Sequence, residues 1–468
     1  MKKVGRIKQG HGGIDRRSFL KSSTSSALLA SMGAGSAGGV LAAQLAGPQR
    51  QPGSDFAFTR AEYEERWAKV QAAMAAAGYE NVLVWQRSAS TYDKVGDVYW
   101  LTNFQTYGTG QDPMSDEIGE PYTFSAVLIR KGHAPELHIG LSEADIDVPT
   151  LHYGKLVMHE PHMIVKLAEY LRAQKIEGRV AVVGDDILPG VFDRMLRKHT
   201  PQIEWVAEER LLVGPQLVKS KRELEAYRIA GGLVSAALDA AMKAMISGER
   251  ACDAAAQAAA VIMRGGGGFH RISIAHGPAL ANNLSKDYYG YDMNAPARGD
   301  LVTVWIYGPI FAGYWLDPGR TAICGNRPTP EQKALVERCA NYVDEMVKAV
   351  VPGITARDLG IRWAEIARKG GYFANGTEIG GAHVEIGMDH GFGHGLGTSF
   401  PEYVLPIGDA EIGPFGYRRL KGPLKPGMVL AAEAFFSRPS LGSVGFERNF
   451  IVTDTGAEVL DTTPMLPW

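Results

Sequence analysis

Cysteine is almost missing from this chain of 468 residues, which has only Cys252, Cys324 and Cys339. An odd number without C-x-x-C spacing excludes a disulfide framework and a cysteine-built metal site. The three read as small buried residues, with one disulfide as the alternative. Net charge is scarce as well, at −2, and that balance hides a basic start. Seven of the 49 Lys and Arg but only one of the 51 Asp and Glu fall in the first 46 positions, which leaves 42 against 50, a net of −8. An acidic body excludes nucleic acid and anionic membrane surfaces as partners, because both attract through a positive field. Long apolar runs are also lacking. The stretch from Ser22 to Ala46 is so diluted by Ser and Gly that no stable membrane anchor is expected. The run Gly265 to Gly268 is followed by no G-K-[ST], so it reads as a turn rather than a phosphate loop.

The segment 1–46 reads as an address. Asp15-Arg16-Arg17-Ser18-Phe19-Leu20-Lys21 follows a basic region and precedes a Ser/Gly/Ala-rich stretch ending in small residues, which is the pattern of a twin-arginine export signal. It implies engagement of the Tat translocase, cleavage, and a periplasmic or extracellular destination. Residues 47–57, rich in Gly, Pro and Gln, read as a linker.

With 45% hydrophobic residues the remainder can bury two or three compact units. Apolar periodicity predicts a helix from Thr59 to Gly78, a strand at Val82–Trp85, and two strands around Gly132. Further on it predicts a helix over Met163–Gln174, a strand at Val180–Val183, a helix over Val191–Lys198 and a strand at Ile203–Val206. Such alternation makes 58–215 an α/β domain. A second domain, 219–468, opens at Ser220 and Glu223, whose spacing is that of a capping box, with a helix running to about Met245. Thr329-Pro330-Glu331-Gln332 opens another helix, with Pro330 at the tolerated first position. This domain repeats itself: Gly248 to Asp253 resembles Gly353 to Asp358, and Gly299-Asp300-Leu301-Val302 resembles Gly427-Met428-Val429-Leu430. Six residues beyond the latter two glycines stand Trp305 and Glu433.

Chemistry concentrates in four places. Asp317 follows Gly313-Tyr314-Trp315-Leu316, His394 lies within Gly393-His394-Gly395-Leu396-Gly397, Glu433 sits in an apolar strand led by Leu424-Lys425-Pro426-Gly427, and Glu447 follows Gly445-Phe446. Each acid alone reads as a cap or a solvated edge residue. Together, three acids and an imidazole can hold one divalent metal, and the oxygen-rich set favours Mn, Fe, Co or Zn over copper.

The order G-Y-x-x-D-x-x-R-T, G-H-G-x-G, L-K-P-G-M-V-x-x-x-E and E-x-x-x-I-V-T resembles the catalytic domain of the pita-bread family of prolidases, Xaa-Pro and methionine aminopeptidases and creatinase. Tyr99-Trp100-Leu101-Thr102-Asn103-Phe104 resembles the Y-L-T-G-F of the N-terminal domain in its creatinase/prolidase branch. The resemblance implies an α+β fold, a pita-bread catalytic domain preceded by an α/β domain, and a homodimer. It also implies metal ligation by Asp317, His394, Glu433 and Glu447, with His394, Glu402 and Glu433 as the catalytic candidates. The family's first Asp ligand does not carry over, since Trp305 stands in its place and shifts of one or two give Ile306 or Tyr307. The histidine expected before Glu402 is Pro401, and the one upstream of Gly299 has no clear counterpart beyond His270 and His276. Trp305, Tyr307, His276 and Arg320 are candidates for the substrate side.

The leading expectation is therefore a hydrolase of a C–N bond, in a small amide, amidine or X-Pro-like peptide, using one metal to acidify water and polarise a carbonyl. Glu402 or Glu433 would accept the proton. A metal-free creatinase-like hydrolase, a lyase of a small cationic sulfonium or betaine substrate, and a non-catalytic binding protein are the alternatives. Aromatics near Trp305 (Tyr288, Tyr289, Tyr291, Trp315) form either a cation-binding pocket or a filling for space left by a second metal.

Overall fold

The computed structural model describes residues 56–87, 96–105, 124–140, 147–159, 162–185, 187–208, 210–278, 280, 290–370, 390–398, 404–406, 420, 422–438 and 440–467. Residues 1–46, read from sequence as an export signal, most of 47–57, Tyr288, Tyr289, Pro401 and Glu402 lie outside the described residues. The chain from Pro52 onward is one compact unit.

In chain order, α1 (Arg60–Ala77), β1 (Asn81–Arg87), α2 (Asp97–Thr102), β2 (Phe124–Arg130), β3 (Glu136–Ile139) and β4 (Lys155–Met158) come first. They are followed by α3 (Met163–Ala173), β5 (Gly178–Val183), α4 (Gly190–His199), β6 (Ile203–Ala207) and α5 (Arg210–Leu217). Thr59 caps α1 by accepting from the Glu62 amide, and Gly78 ends it at φ +75°, a left-handed conformation that costs glycine little. The six strands described in this region form one sheet in the order β4-β3-β2-β1-β5-β6. Val82 and Val84 of β1 pack under α1, α2 and α5, while Leu83 and Trp85 pack under α3 and α4. This is the two-residue period of a strand covered on both faces. The predicted strands and helices stand within a few residues of their expected places. α2, which periodicity left unassigned, ends at Asn103 with φ +62°. Asn there replaces the motif's glycine because its short polar side chain tolerates the left-handed region.

The second half comprises α6 (Lys221–Ser247), α7 (Ala251–Arg264), β7 (Arg271–Gly277), β8 (Leu301–Phe311), β9 (Tyr314–Leu316), β10 (Gly319–Ile323), α8 (Pro330–Lys348) and α9 (Ala356–Lys369). It closes with β11 (His390–Gly395), β12 (Val404–Pro406), β13 (Val429–Arg438), β14 (Gly442–Val452) and β15 (Ala457–Val459). Both expected capping boxes are present, at Ser220/Glu223 and Thr329/Gln332, with Pro330 at the start of α8. A second sheet runs β12-β11-β13-β14-β10-β8-β7, with β15 on β14 and β9 on β8. Val302, Val304 and Ile306 of β8 pack against α6 and α7, whereas Leu430, Ala432, Ala434 and Phe436 of β13 pack against α8 and α9. The three cysteines are free, and Cys324 and Cys339 are buried, so the disulfide alternative falls.

The internal repeat is realised in the backbone. Gly248 and Gly353 share φ near +84° (+85° and +83°), and Gly299 and Gly427 share φ of +92° and +91°. Trp305 pairs with Gly319 and Glu433 pairs with Glu447, the same spacing in each half. The halves meet where Gly319 pairs with Glu447. Trp305, Gly319, Glu447 and Glu433 thus form one row across four adjacent strands, on the face opposite the helices.

Glu223 joins the two sheets' surroundings. Its Oε1 accepts from Trp100 Nε1 (2.8 Å) and Tyr314 Oη (2.7 Å), with Arg66 at 3.7 Å, and its Oε2 accepts from the Ser220 amide at 2.7 Å. Burial resists ionisation of this carboxyl, yet Arg66 and the three donors hold it below the usual carboxylate range. The network ties α1 and α2 to α6 and to β9, the strand that leads into Asp317.

Candidate metal and catalytic centre

A tight turn at Ala312 and Gly313, both at positive φ, reverses β8 into β9 and delivers Asp317 to the inner face. His394 comes from β11, and the glycine before it is required: a Cβ on Gly393 would lie 2.5 Å from the Ala431 carbonyl and 2.8 Å from the Trp363 ring. Glu433 and Glu447 are cross-strand partners on β13 and β14. All four side chains are buried. His394 Nε2 lies 3.3 Å from Asp317 Oδ2, 3.5 Å from Glu447 Oε1 and 3.6 Å from Glu433 Oε1. Ligand atoms of Asp317, His394 and Glu447 all lie within 4.8 Å of one another, and Glu433 stands outside that mutual group, beside His394.

The charge in this cluster is poorly compensated by the protein. Burial, together with Asp317 and Glu433, pushes the Glu447 carboxyl well above its ordinary value. Burial opposes the imidazolium of His394, but Asp317 and Glu433 outweigh it and raise that group. Glu447 Oε1 is buried without a hydrogen-bond donor, and three buried carboxylates with a single imidazole are costly unless a cation joins them. A divalent ion about 2.0–2.2 Å from each of its donors keeps tetrahedrally placed donors about 3.3–3.6 Å apart. The three separations from His394 fall in that range, so the residues fit a divalent cation.

Trp305 stands in the same row, one strand beyond Gly319. It is 3% exposed, and its Nε1–H donates to Glu447 Oε2 at 2.9 Å. The indole is stacked with Phe435, with centroids 5.6 Å apart and planes at 19°. It lies over two glycines: a Cβ on Gly319 would fall 1.9 Å from Trp305 Cε2, and one on Gly445 2.6 Å from Cη2. Packed this way the ring offers no open face to a cation, so Trp305 is a filler and a hydrogen-bond donor rather than part of a cation pocket.

Other sequence candidates fall elsewhere. Arg320 is a correction. Alternation turns the residue after Gly319 to the opposite face, where its guanidinium pairs with Asp461 and donates to the carbonyls of Gly319, Glu447, Thr463 and Pro464. His276 is also corrected, because it pairs with Val302 while Trp305 pairs with Ser273, three residues away and so on the other face. Its Nε2 stands 3.3 Å from Asp292. Tyr307 is half-buried with its ring beside His270, 5.8 Å between centroids. Glu402 lies outside the described residues. Asn449 was missed by the sequence reading. It is fully buried and its amide donates to Asp317 Oδ1 (2.7 Å) while accepting from the Asp317 backbone N–H (2.8 Å). A usable signal existed, since Asn449 stands two residues after Glu447 on one strand and must share its face.

Residues 225–454 match metallopeptidase family M24. The Xaa-Pro dipeptidase of Pyrococcus furiosus is 25% identical over 335 residues, spanning 71% of this chain and 84% of that relative. Among solved structures, the prolidase of Pyrococcus horikoshii superposes with a TM-score of 0.62 at 20% identity, covering 86% of this chain and 99% of that one. The aminopeptidase P of E. coli superposes with a TM-score of 0.59 at 16% identity, covering 87% and 95%. With Asp317, His394, Glu433 and Glu447 gathered on the inner face of a duplicated sheet, the chain belongs to the pita-bread metallopeptidases of family M24 and is a hydrolase of that family.

Proposed function

We propose that this chain hydrolyses the C–N bond of an Xaa-Pro-type peptide or a related small amide, using a single divalent ion held by Asp317, His394 and Glu447. The observation that carries this reading is the convergence of those three side chains beside a row position filled by Trp305. Three protein donors leave an open position of the kind catalytic sites keep. When bound, such an ion supplies Lewis-acid polarisation of the scissile carbonyl and acidifies water.

The protein's own groups do the rest. Glu433 Oε1, 3.6 Å from His394 Nε2, is either a further ligand or the base that accepts a proton from the attacking water and returns it to the leaving nitrogen. Trp305 and Phe435 close one side of the centre and exclude water from it. Dipeptidase substrates are suggested by the relatives' names, and the resemblance of the chain across most of their length supports the extension. Export by the twin-arginine route, indicated by Arg16-Arg17, and assembly as a homodimer complete the proposal.

The test is turnover of Xaa-Pro dipeptides, and of non-proline dipeptides and small amidines as controls, by protein stripped with chelator and reloaded with Mn, Fe, Co or Zn. Activity that vanishes on stripping and returns on reloading supports the reading. Undiminished activity of metal-free protein, or of Glu447→Gln, sinks it.

A further inference from the structure

Two neutral donors flank the carboxylates of the centre from opposite sides. Asn449 holds Asp317 by both its main chain and its side chain. Because the Asp317 N–H can only donate, the Asn449 oxygen must face it, which leaves the amide NH2 facing Asp317 Oδ1. Trp305 Nε1–H, a donor only, faces Glu447 Oε2. Each carboxylate therefore has one oxygen already bonded, and the other, Asp317 Oδ2 or Glu447 Oε1, turns toward His394 Nε2.

Asn449 is itself fixed from behind. Its backbone N–H donates to Asp461 Oδ1 at 2.8 Å, and its carbonyl accepts from the Leu460 amide at 2.8 Å. Asp461, fully buried, is paired with Arg320 and stands 3.3 Å from Arg448, which also bonds Asp344. A continuous buried chain thus runs from Arg320 through Asp461 and Asn449 to Asp317, and it gives Arg320 a role behind the centre in place of the substrate role expected from sequence.

From this geometry we infer that Asn449 is a positioning residue which, paired with Trp305, restricts Asp317 and Glu447 to one metal-facing oxygen each, so that the centre takes one ion with few carboxylate oxygens. This rests on the single-ion reading above and adds to it the residues that set the presentation. Outer groups that orient ligands in this way commonly govern metal affinity by about 10- to 100-fold.

The test uses full-length protein titrated with Co(II), reading affinity by calorimetry and coordination by the d–d absorption, whose intensity falls as coordination number rises. Asn449→Leu, which removes both bonds, is expected to weaken Co(II) binding about 10- to 100-fold and to lower the absorption per bound ion. Trp305→Phe, which keeps an aromatic ring over Gly319 but has no N–H, is expected to lower the absorption likewise, and it decides the matter if Asn449→Leu does not fold. A purely structural role would lower the melting temperature while leaving the affinity and spectrum of the folded protein unchanged, and that result overturns the inference alone. Wild-type protein that binds no Co(II) overturns both the inference and the reading beneath it.

Discussion

Trp305 and Gly319 face each other across two strands, and their fit explains why an indole can stand in a row of carboxylates. A methyl group on Gly319 would meet the ring at 1.9 Å, so Gly319→Ala should destabilise the protein by about 1–3 kcal/mol or more through overpacking. The same substitution in a Trp305→Ala background removes the clash. A double-mutant cycle by denaturant unfolding should therefore give a coupling of about 1 kcal/mol or more, whereas additive losses would show that the two residues do not share this space. Arg320 makes a second prediction at this scale. Arg320→Met leaves the buried Asp461 with Arg448 as its remaining charge partner and should cost about 3 kcal/mol of stability, yet leave the KM for substrate unchanged in the protein that remains folded. A rise in KM at unchanged stability would restore the substrate role. The four candidate ligands were legible as residues because each lies in a glycine-marked or apolar context where an acid or imidazole is out of place. Strand alternation puts Asn449 on the face of Glu447, but its bonds to Asp317 were not legible, because they form only when the neighbouring hairpin brings Asp317 against it.

At the scale of elements, sequence was most informative where a local bond pattern fixes a helix start. Ser220 with Glu223 and Thr329 with Gln332 announce α6 and α8 because each cap satisfies donors that nothing else in the helix can. It was least informative for α2 and β4, whose existence depends on packing rather than on their own periodicity. β4 carries no fully buried residue and persists as a parallel neighbour of β3 at the sheet's edge. Glu223 separates the two kinds of cause. Ser220→Ala removes the cap and one hydroxyl bond to Glu62 and should cost about 1 kcal/mol. Glu223→Ala leaves Arg66 with Glu62 as its remaining charge partner and Trp100 and Tyr314 without their acceptor, and it should cost about 2–4 kcal/mol. Chemical denaturation of the two variants measures the difference, and equal losses would mean that the network between α1, α2 and α6 adds nothing to the cap.

Across the whole molecule, duplication is the feature that organises the site. Two copies of a glycine-led strand pair, joined where Gly319 meets Glu447, place one copy's acids at Glu433 and Glu447 and the other copy's equivalents at Trp305 and Gly319. The centre is asymmetric for this reason, with carboxylates in one half, an indole in the other, and Asp317 and His394 entering from the flanks. Repeat and family motif were both visible in sequence. Which oxygens face the centre was not, because it depends on side-chain bonds between residues more than a hundred positions apart. The basic start of an otherwise acidic chain belongs to this scale too. Replacing Arg16 and Arg17 by Lys should block appearance of the mature protein outside the cytoplasm, as judged by fractionation, and unimpaired export would remove the twin-arginine assignment.

The single-ion proposal rests on the indole of Trp305 filling one end of the row. Elemental analysis by mass spectrometry of full-length protein, purified without chelator and dialysed against Mn, Fe, Co or Zn in turn, tests it directly. A plateau of one ion per chain is expected for at least one of these metals, and it should be lost in Glu447→Gln. A plateau of two ions per chain, or an active protein with none, would contradict the proposal.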